Sequence, residues 1–188
     1  MEKKNSLTTN EERYHTAIHE AGHTIVSIVL RPDVDILGIS IIPRGNAGGY
    51  NWFNSPERSY YSRKDAISEI EVLYGGKAAE ELILHKTSSG PVADLKNASR
   101  IAYNMVTKYA MNNTLLTLID DEEFDSLLIK MNMDAAEKIC EDAYEKTKEI
   151  IKKNDEVLKD LADLLMKKEA MSAEEVKDFI RMHKFVKP

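Results

Sequence analysis

Two histidines and a glutamate near the start of the chain have the spacing of a zinc site. His19 and His23 enclose Glu20 in the pattern H-E-x-x-H. On a helix, residues four positions apart share one face, so both imidazoles can reach a zinc ion at roughly 2.0–2.1 Å. Glu20 then projects beside the ion and can deprotonate the water molecule that zinc activates. The pattern therefore indicates zinc-dependent hydrolysis.

Chance is the alternative explanation for this pattern. With 5 histidines in 188 residues, a random match to H-E-x-x-H has a probability on the order of 1% at this composition. The context is also helical, because Thr9 to Glu12 form a capping box and Pro32 closes a stripe of apolar residues. Both observations favour a functional site over coincidence.

The third protein ligand cannot be chosen by spacing alone. The metzincin pattern H-E-x-x-H-x-x-G-x-x-H requires a histidine at the position of Val29, so that type is excluded. The remaining option is a carboxylate from a later helix. The candidates with helical contexts are Glu69, Glu71, Glu80, Glu81 and Asp94. Asp94 follows a break at Ser89 to Pro91, but an ordinary first-turn aspartate explains that position equally well.

The elements that must position these groups are mostly helices. After the first helix, Ile36 to Pro43 is β-branched and predicts a strand. A glycine-rich turn at 44–49 leads to a second strand around Tyr50 to Phe53. Later segments predict helices near 62–73, 78–84, 93–109, 134–153, 156–168 and after 172. The expected fold class is mainly α, with a small β element after the first helix.

Length and composition narrow the class of protein. We expect one domain over 1–188, with a metal-binding core over about 8–112 and a C-terminal helical part over about 113–188. The balance of 26 Lys and Arg against 32 Asp and Glu argues against a nucleic-acid partner. The chain has no run of roughly 20 apolar residues and no apolar leader. We therefore expect no membrane segment and a cytoplasmic location.

Aromatic residues of the second predicted strand are candidates for substrate binding. Tyr50, Trp52 and Phe53 could line a groove beside the metal, although aromatic strand residues are more often part of a core. An exposed edge of this strand could also accept an extended polypeptide as an added strand.

Several stretches together resemble the peptidase domain of FtsH-type, AAA-linked zinc metalloproteases. In the family's order they are His19–Val26, Ile41–Gly45, Gly75–Leu82, Thr87–Leu95 and Met105–Tyr109. The helices from Asp134 to Lys168 also fit, so the resemblance covers nearly the whole chain.

The resemblance implies a site and a cofactor. His19, His23 and Asp94 would bind Zn2+, and Glu20 would be the general base. Glu80 and Glu81 would be structural or would support the metal ligands without binding the ion. It also implies polypeptide substrates and an ATPase that delivers them, although this chain has no complete P-loop around its single Gly-Lys pair.

Two positions depart from the family's pattern. Pro91-Val92-Ala93 stands where small polar residues are usual, and Ala110 stands where glycine normally ends a helix. Asn112 or Asn113 is the expected replacement for that glycine as the helix stop.

The combined expectation is a zinc metalloendopeptidase, a hydrolase that cleaves unfolded or extended polypeptides by the H-E-x-x-H mechanism. The alternative is a non-processing zinc-binding module that associates with a separate ATPase or a full-length FtsH-type protease. The intact Glu20 favours the enzyme, because a pure binding module does not need a base beside the metal. The sequence leaves open whether the chain forms homo-oligomers or is cut from a longer protein.

Overall fold

A computed structural model describes residues 9–44, 48–55, 60–112 and 126–188. Its helices are α1 (Asn10–Leu30), α2 (Arg63–Ala79), α3 (Val92–Thr107), α4 (Ser126–Lys153), α5 (Asp155–Lys168) and α6 (Ala173–Met182). The strands are β1 (Asp35–Ser40), β2 (Tyr50–Asn54) and β3 (Ala170–Ser172), and a π-helical segment, Glu80–Leu84, follows α2. The mainly α prediction is confirmed. The predicted boundary between 112 and 113 falls at the edge of a described range. Residues 45–47 of the predicted turn lie outside the described residues.

The three strands form one antiparallel sheet in the order β2-β1-β3. β1 pairs with β2 so that Ile39 lies opposite Asn51, and with β3 so that Ile39 lies opposite Met171. The sequence did not predict β3, because three residues are too few to show an alternating pattern. Its pairing comes from the packing of the C-terminal helices, which bring it to the free edge of β1.

In the part of the chain that the structure describes, the helices enclose two hydrophobic cores. The first core lies between α1, the sheet, α5 and α6, with further residues from α2 and α4, and includes Ile18, Ile25, Ile39, Leu161 and Phe179. The second core lies between α2, α3 and α4 and includes Ile70, Tyr74, Ala102, Met105 and Ala143. Within the described residues, no helix is both long enough and apolar enough to cross a membrane.

The backbones of α1 and α2 touch at a pair of glycines. A Cβ atom on Gly22 would lie 2.3 Å from the carbonyl oxygen of Gly75, and one on Gly75 would lie 2.6 Å from that of Gly22. The predicted interruption between helices at 73–78 is wrong, because α2 runs unbroken through Gly75 and Gly76 to Ala79. The glycines serve close helix approach instead, and this contact joins the two cores beside the metal motif.

The end of α3 also differs from the prediction. The helix stops at Thr107, and Ala110 adopts a left-handed φ of 47°. The amide of Met111 then donates to the carbonyl of Met105 over 2.7 Å. Asn112 is therefore not the helix stop, and Asn113 lies outside the described residues. Ala110 itself takes the conformation that usually selects glycine.

Candidate metal centre

The two motif histidines and Asp94 meet at one point. His19 and His23 lie one turn apart on α1, and their Nε2 atoms are 3.0 Å from each other. Asp94 Oδ2 lies 3.5 Å from each of these two nitrogens. Three ligands of a tetrahedral zinc ion, each about 2.0–2.1 Å from the metal, would be roughly 3.3 Å apart. The spacing of the three atoms therefore fits a zinc ion.

Each histidine is oriented through its other ring nitrogen. His19 Nδ1 lies 2.7 Å from Glu80 Oε1, and His23 Nδ1 lies 2.7 Å from the carbonyl oxygen of Val72. These acceptors favour a proton on Nδ1 and leave Nε2 free for a metal. Gly76 leaves room for the His19 ring, because a Cβ atom at position 76 would lie 2.4 Å from His19 Cε1.

The other carboxylates that the sequence offered as ligands point elsewhere. Glu69 accepts from Tyr61 over 2.8 Å, Glu71 pairs with Lys146 and Glu81 accepts from Tyr144. Glu80 is buried and approaches the site, but its Oε1 contacts His19. Its Oε2 accepts from Ser88 over 2.8 Å and lies 3.0 Å from His15 Nε2. Asp94 alone of the five has a carboxylate oxygen beside both Nε2 atoms.

Asp94 is presented by the first turn of α3. The helix begins at Val92, directly after Pro91, which is buried and has no side chain able to cap it. Burial alone would raise the pKa of Asp94, but contacts with His19 and His23 outweigh it and hold that pKa below its usual value. The helix N-terminus adds a favourable field for the charged carboxylate. Asp94 is thus held as an anion, the form that can bind a metal.

The electrostatics of the three groups suit a cation. Burial disfavours protonation of His19, but Asp94 and Glu80 outweigh this effect and raise its pKa to about 9. The same carboxylates that attract a proton would attract a metal ion, which replaces that proton when it binds. Two imidazole nitrogens and one carboxylate oxygen also form a donor set that catalytic zinc sites use. The residues present therefore fit zinc.

Glu20 is fixed beside the same point. Its side chain is 6% exposed, and Asn51 Nδ2 donates to its Oε2 over 2.6 Å. Thr24 in turn donates to Asn51 Oδ1 over 2.7 Å. A Cβ on Gly49 would lie 2.7 Å from Glu20 Oε1, so only glycine leaves room there. Burial raises the pKa of Glu20, which the nearby His23 and His19 oppose.

Asn51, Thr24 and Gly49 were not identified from the sequence. The one available signal is that Asn51 is a polar residue among the aromatic residues of a strand. Its function depends on which face of β2 meets α1, and the alternation of residues along a strand does not say which face that is.

A cavity of about 540 Å³ opens over these groups. His19, Glu20, His23 and Asp94 line it together with Tyr50 and Phe53 of β2. Trp52 is not among the lining residues; its side chain is 48% exposed and packs against Tyr50 with ring centroids 4.6 Å apart. Two of the three predicted aromatic positions therefore face the cavity.

Comparison with known proteins gives the family. A sequence profile of peptidase family M41 matches residues 6–179. The ATP-dependent zinc metalloprotease FtsH of Caldicellulosiruptor bescii is 35% identical over 95% of this chain and 32% of its own length. The ATP-dependent zinc metalloprotease FtsH 3 of Phytoplasma mali is 38% identical over 95% of this chain and 29% of its own length. The chain thus spans about a third of the length of these relatives. On the extent of the profile match, this chain belongs to peptidase family M41.

Proposed function

We propose that this chain is a zinc-dependent metalloendopeptidase in which His19, His23 and Asp94 bind the ion and Glu20 is the general base. The observation that carries the proposal is the meeting of three ligand atoms, 3.0–3.5 Å apart, beside a fixed carboxylate. Membership of a peptidase family and the zinc named in the relatives' descriptions support it.

The roles of the residues follow from their surroundings. A bound zinc ion would polarise the scissile carbonyl and make an adjacent water molecule more acidic. Glu20 would take the proton from that water and return it to the leaving amine. Burial raises the pKa of Glu20 and so favours proton uptake by its carboxylate, an effect that the charge of a bound zinc ion would oppose. Asn51 would keep the Glu20 carboxylate aimed at the cavity.

An extended polypeptide is the substrate that the cavity suits best. β2 lies at one edge of the described sheet, and its residues Tyr50, Asn51 and Phe53 line the cavity. A substrate could add to this edge as a further strand, with its main chain paired to β2 and its side chains in the cavity. This mode requires unfolded or extended segments, since a folded chain offers no free strand.

The relatives are named as ATP-dependent, and they are about three times as long as this chain. We propose that an ATPase, in a longer protein or as a separate partner, delivers unfolded segments to the cavity. The intact, well-supported Glu20 favours catalysis over the alternative of a non-processing zinc-binding module.

The test compares zinc content and casein cleavage for the wild type and two variants. Glu20→Gln should keep one zinc per chain but lower kcat by about 10²–10⁴, because the ligands remain and the base is lost. Glu174→Gln, on the exposed first turn of α6, is the matched control and should change neither quantity. Cleavage by Glu20→Gln within a few fold of the wild type would refute the general-base role.

A further inference from the structure

Helix α4 contacts two residues, and each of them is next in sequence to a residue that holds a metal-site histidine. Val72 and Glu80 hold the Nδ1 atoms of His23 and His19. Their sequence neighbours, Glu71 and Glu81, face α4 instead. Glu71 and Val72 share one helical turn, and Glu80 and Glu81 share another, so a contact that holds one residue of a pair also restrains the backbone of its neighbour.

The contact at Glu71 is buried. Its side chain is 0% exposed, and Lys146 Nζ of α4 lies 2.9 Å from its Oε1. The hydroxyl of Thr147, also 0% exposed, lies 3.1 Å from the carbonyl oxygen of Glu71 and 2.8 Å from that of Ala143. Two consecutive residues of α4 thus hold both the side chain and the backbone of the residue before Val72.

The contact at Glu81 lies at the start of the π-helical segment. The Tyr144 hydroxyl of α4 donates to Glu81 Oε2 over 2.5 Å. The ammonium groups of Lys77 and Lys148 lie 5.5 Å and 5.0 Å from the centroid of the Tyr144 ring. The phenol ring therefore lies near two cations while its hydroxyl contacts the residue after Glu80.

We propose that Tyr144, Lys146 and Thr147 are positioning residues of the metal centre. They set the rotation of the α2 and π-helical turns that present the Val72 carbonyl and the Glu80 carboxylate. In this way they aim the Nε2 atoms of both histidines at one point. The inference rests on the proposed zinc site and extends it, because it makes helix α4, which follows the metal-binding helices in the chain, part of the support of the site.

A purely structural contact between α2 and α4 would have a different signature. Its loss would lower the stability of the fold but leave the geometry of the bound metal unchanged. Loss of a positioning contact should change the metal's surroundings in a protein that stays folded. The absorption spectrum of bound Co2+ in the visible range reports this geometry directly, without any activity measurement.

The experiment uses Tyr144→Phe and Thr147→Val, which remove one hydroxyl each and keep the side-chain shape. Both should weaken zinc binding by about threefold to tenfold, less than the 10- to 100-fold typical of groups that contact the ligands directly. Both should also shift the Co2+ spectrum. Thr147→Ser should restore binding, and Lys138→Met, at an exposed site of α4 paired to Asp142, should change neither readout.

The outcomes separate this inference from the proposed function. Wild-type affinity and an unchanged Co2+ spectrum in folded Tyr144→Phe and Thr147→Val would overturn the positioning role and leave the zinc site intact. A wild-type chain that binds neither zinc nor Co2+ would overturn both. Weakened binding with a shifted spectrum and rescue by Thr147→Ser is the result that the inference predicts.

Discussion

The two hydrophobic cores supply the metal centre in different ways. The first core holds α1, whose single helical turn places His19 and His23 at a fixed spacing. The second core holds α3, whose first turn presents Asp94, far beyond His19 in the sequence. The histidine pair is thus a local product of helix geometry, whereas the position of the proposed third ligand depends on the packing of the second core against the first.

This difference indicates which packing contacts affect the spacing of the candidate ligand atoms. The backbone contact between Gly22 and Gly75 sets how closely α1 and α2 approach. α3 packs on α2 in the second core, so the approach of α2 to α1 also affects the distance from Asp94 to the histidines. A bound zinc ion would add a link between the two cores and stabilise the folded chain by mass action.

The largest expected effect is on the ligand that the second core provides. Asp94→Ala should lower zinc affinity by at least about a hundredfold, above the range for groups that only hold a ligand. Glu81→Ala, whose partner is Tyr144, is the control and should lose much less. Competition with a chelator measures both affinities. An equal loss in the two variants would remove Asp94 from the metal.

The next largest effect is expected at the backbone contact between Gly22 and Gly75, which joins the two cores. Gly75→Ala places a Cβ 2.6 Å from the Gly22 carbonyl oxygen, so the helices must move apart. We expect the free energy of unfolding to fall by about 2–3 kcal/mol. Gly48→Ala, whose Cβ would lie 3.4 Å from Thr16 Oγ1, should cost far less. Urea denaturation of both variants tests this prediction. Equal free energies of unfolding would mean that the contact between Gly22 and Gly75 is not sterically tight.

A smaller effect is expected from the group that orients His19. Glu80→Gln keeps the shape of the side chain but removes its charge, and zinc affinity should fall about tenfold. Glu69→Gln, which alters a carboxylate that accepts a hydrogen bond from Tyr61, serves as the control. Isothermal titration with zinc compares the two. If Glu80→Gln binds as tightly as the wild type, the charge of Glu80 does not support the site.

The smallest effect lies at the end of α3. Ala110 has a φ of 47°, which costs an alanine more than a glycine. Ala110→Gly should therefore raise the free energy of unfolding by about 0.5–1 kcal/mol without a change in zinc binding. Thermal denaturation in the presence and absence of zinc measures both. A less stable variant would mean that this turn is not strained.

The same division explains what the sequence could predict. The histidine pair and Glu20 were identifiable because the chemistry and the helical period coincide within five residues. Spacing left Asp94 among five carboxylates, and only the resemblance to a family selected it. The structure separates them by which helix face meets α1, and that depends on packing between distant elements.

The missed features have the same origin. Asn51 and Gly49 act on Glu20 because β2 lies against α1, a contact that no local pattern encodes. Gly75 and Gly76 indicated a helix break from the sequence, but their role is close approach to Gly22 and His19. β3 exists only because β1 offers it a partner. Local patterns predicted the elements, and tertiary packing determined how they meet.

The most direct test of the account is the location of the metal itself. Crystals grown with zinc should show one anomalous peak at the zinc absorption edge, within roughly 2.0–2.2 Å of His19 Nε2, His23 Nε2 and an oxygen of Asp94. The Glu20 carboxylate should lie beside the peak without contacting it as a ligand. A peak bound by Glu80 or Glu81 with Asp94 turned to solvent, or no peak between the two histidines, would contradict the proposed site.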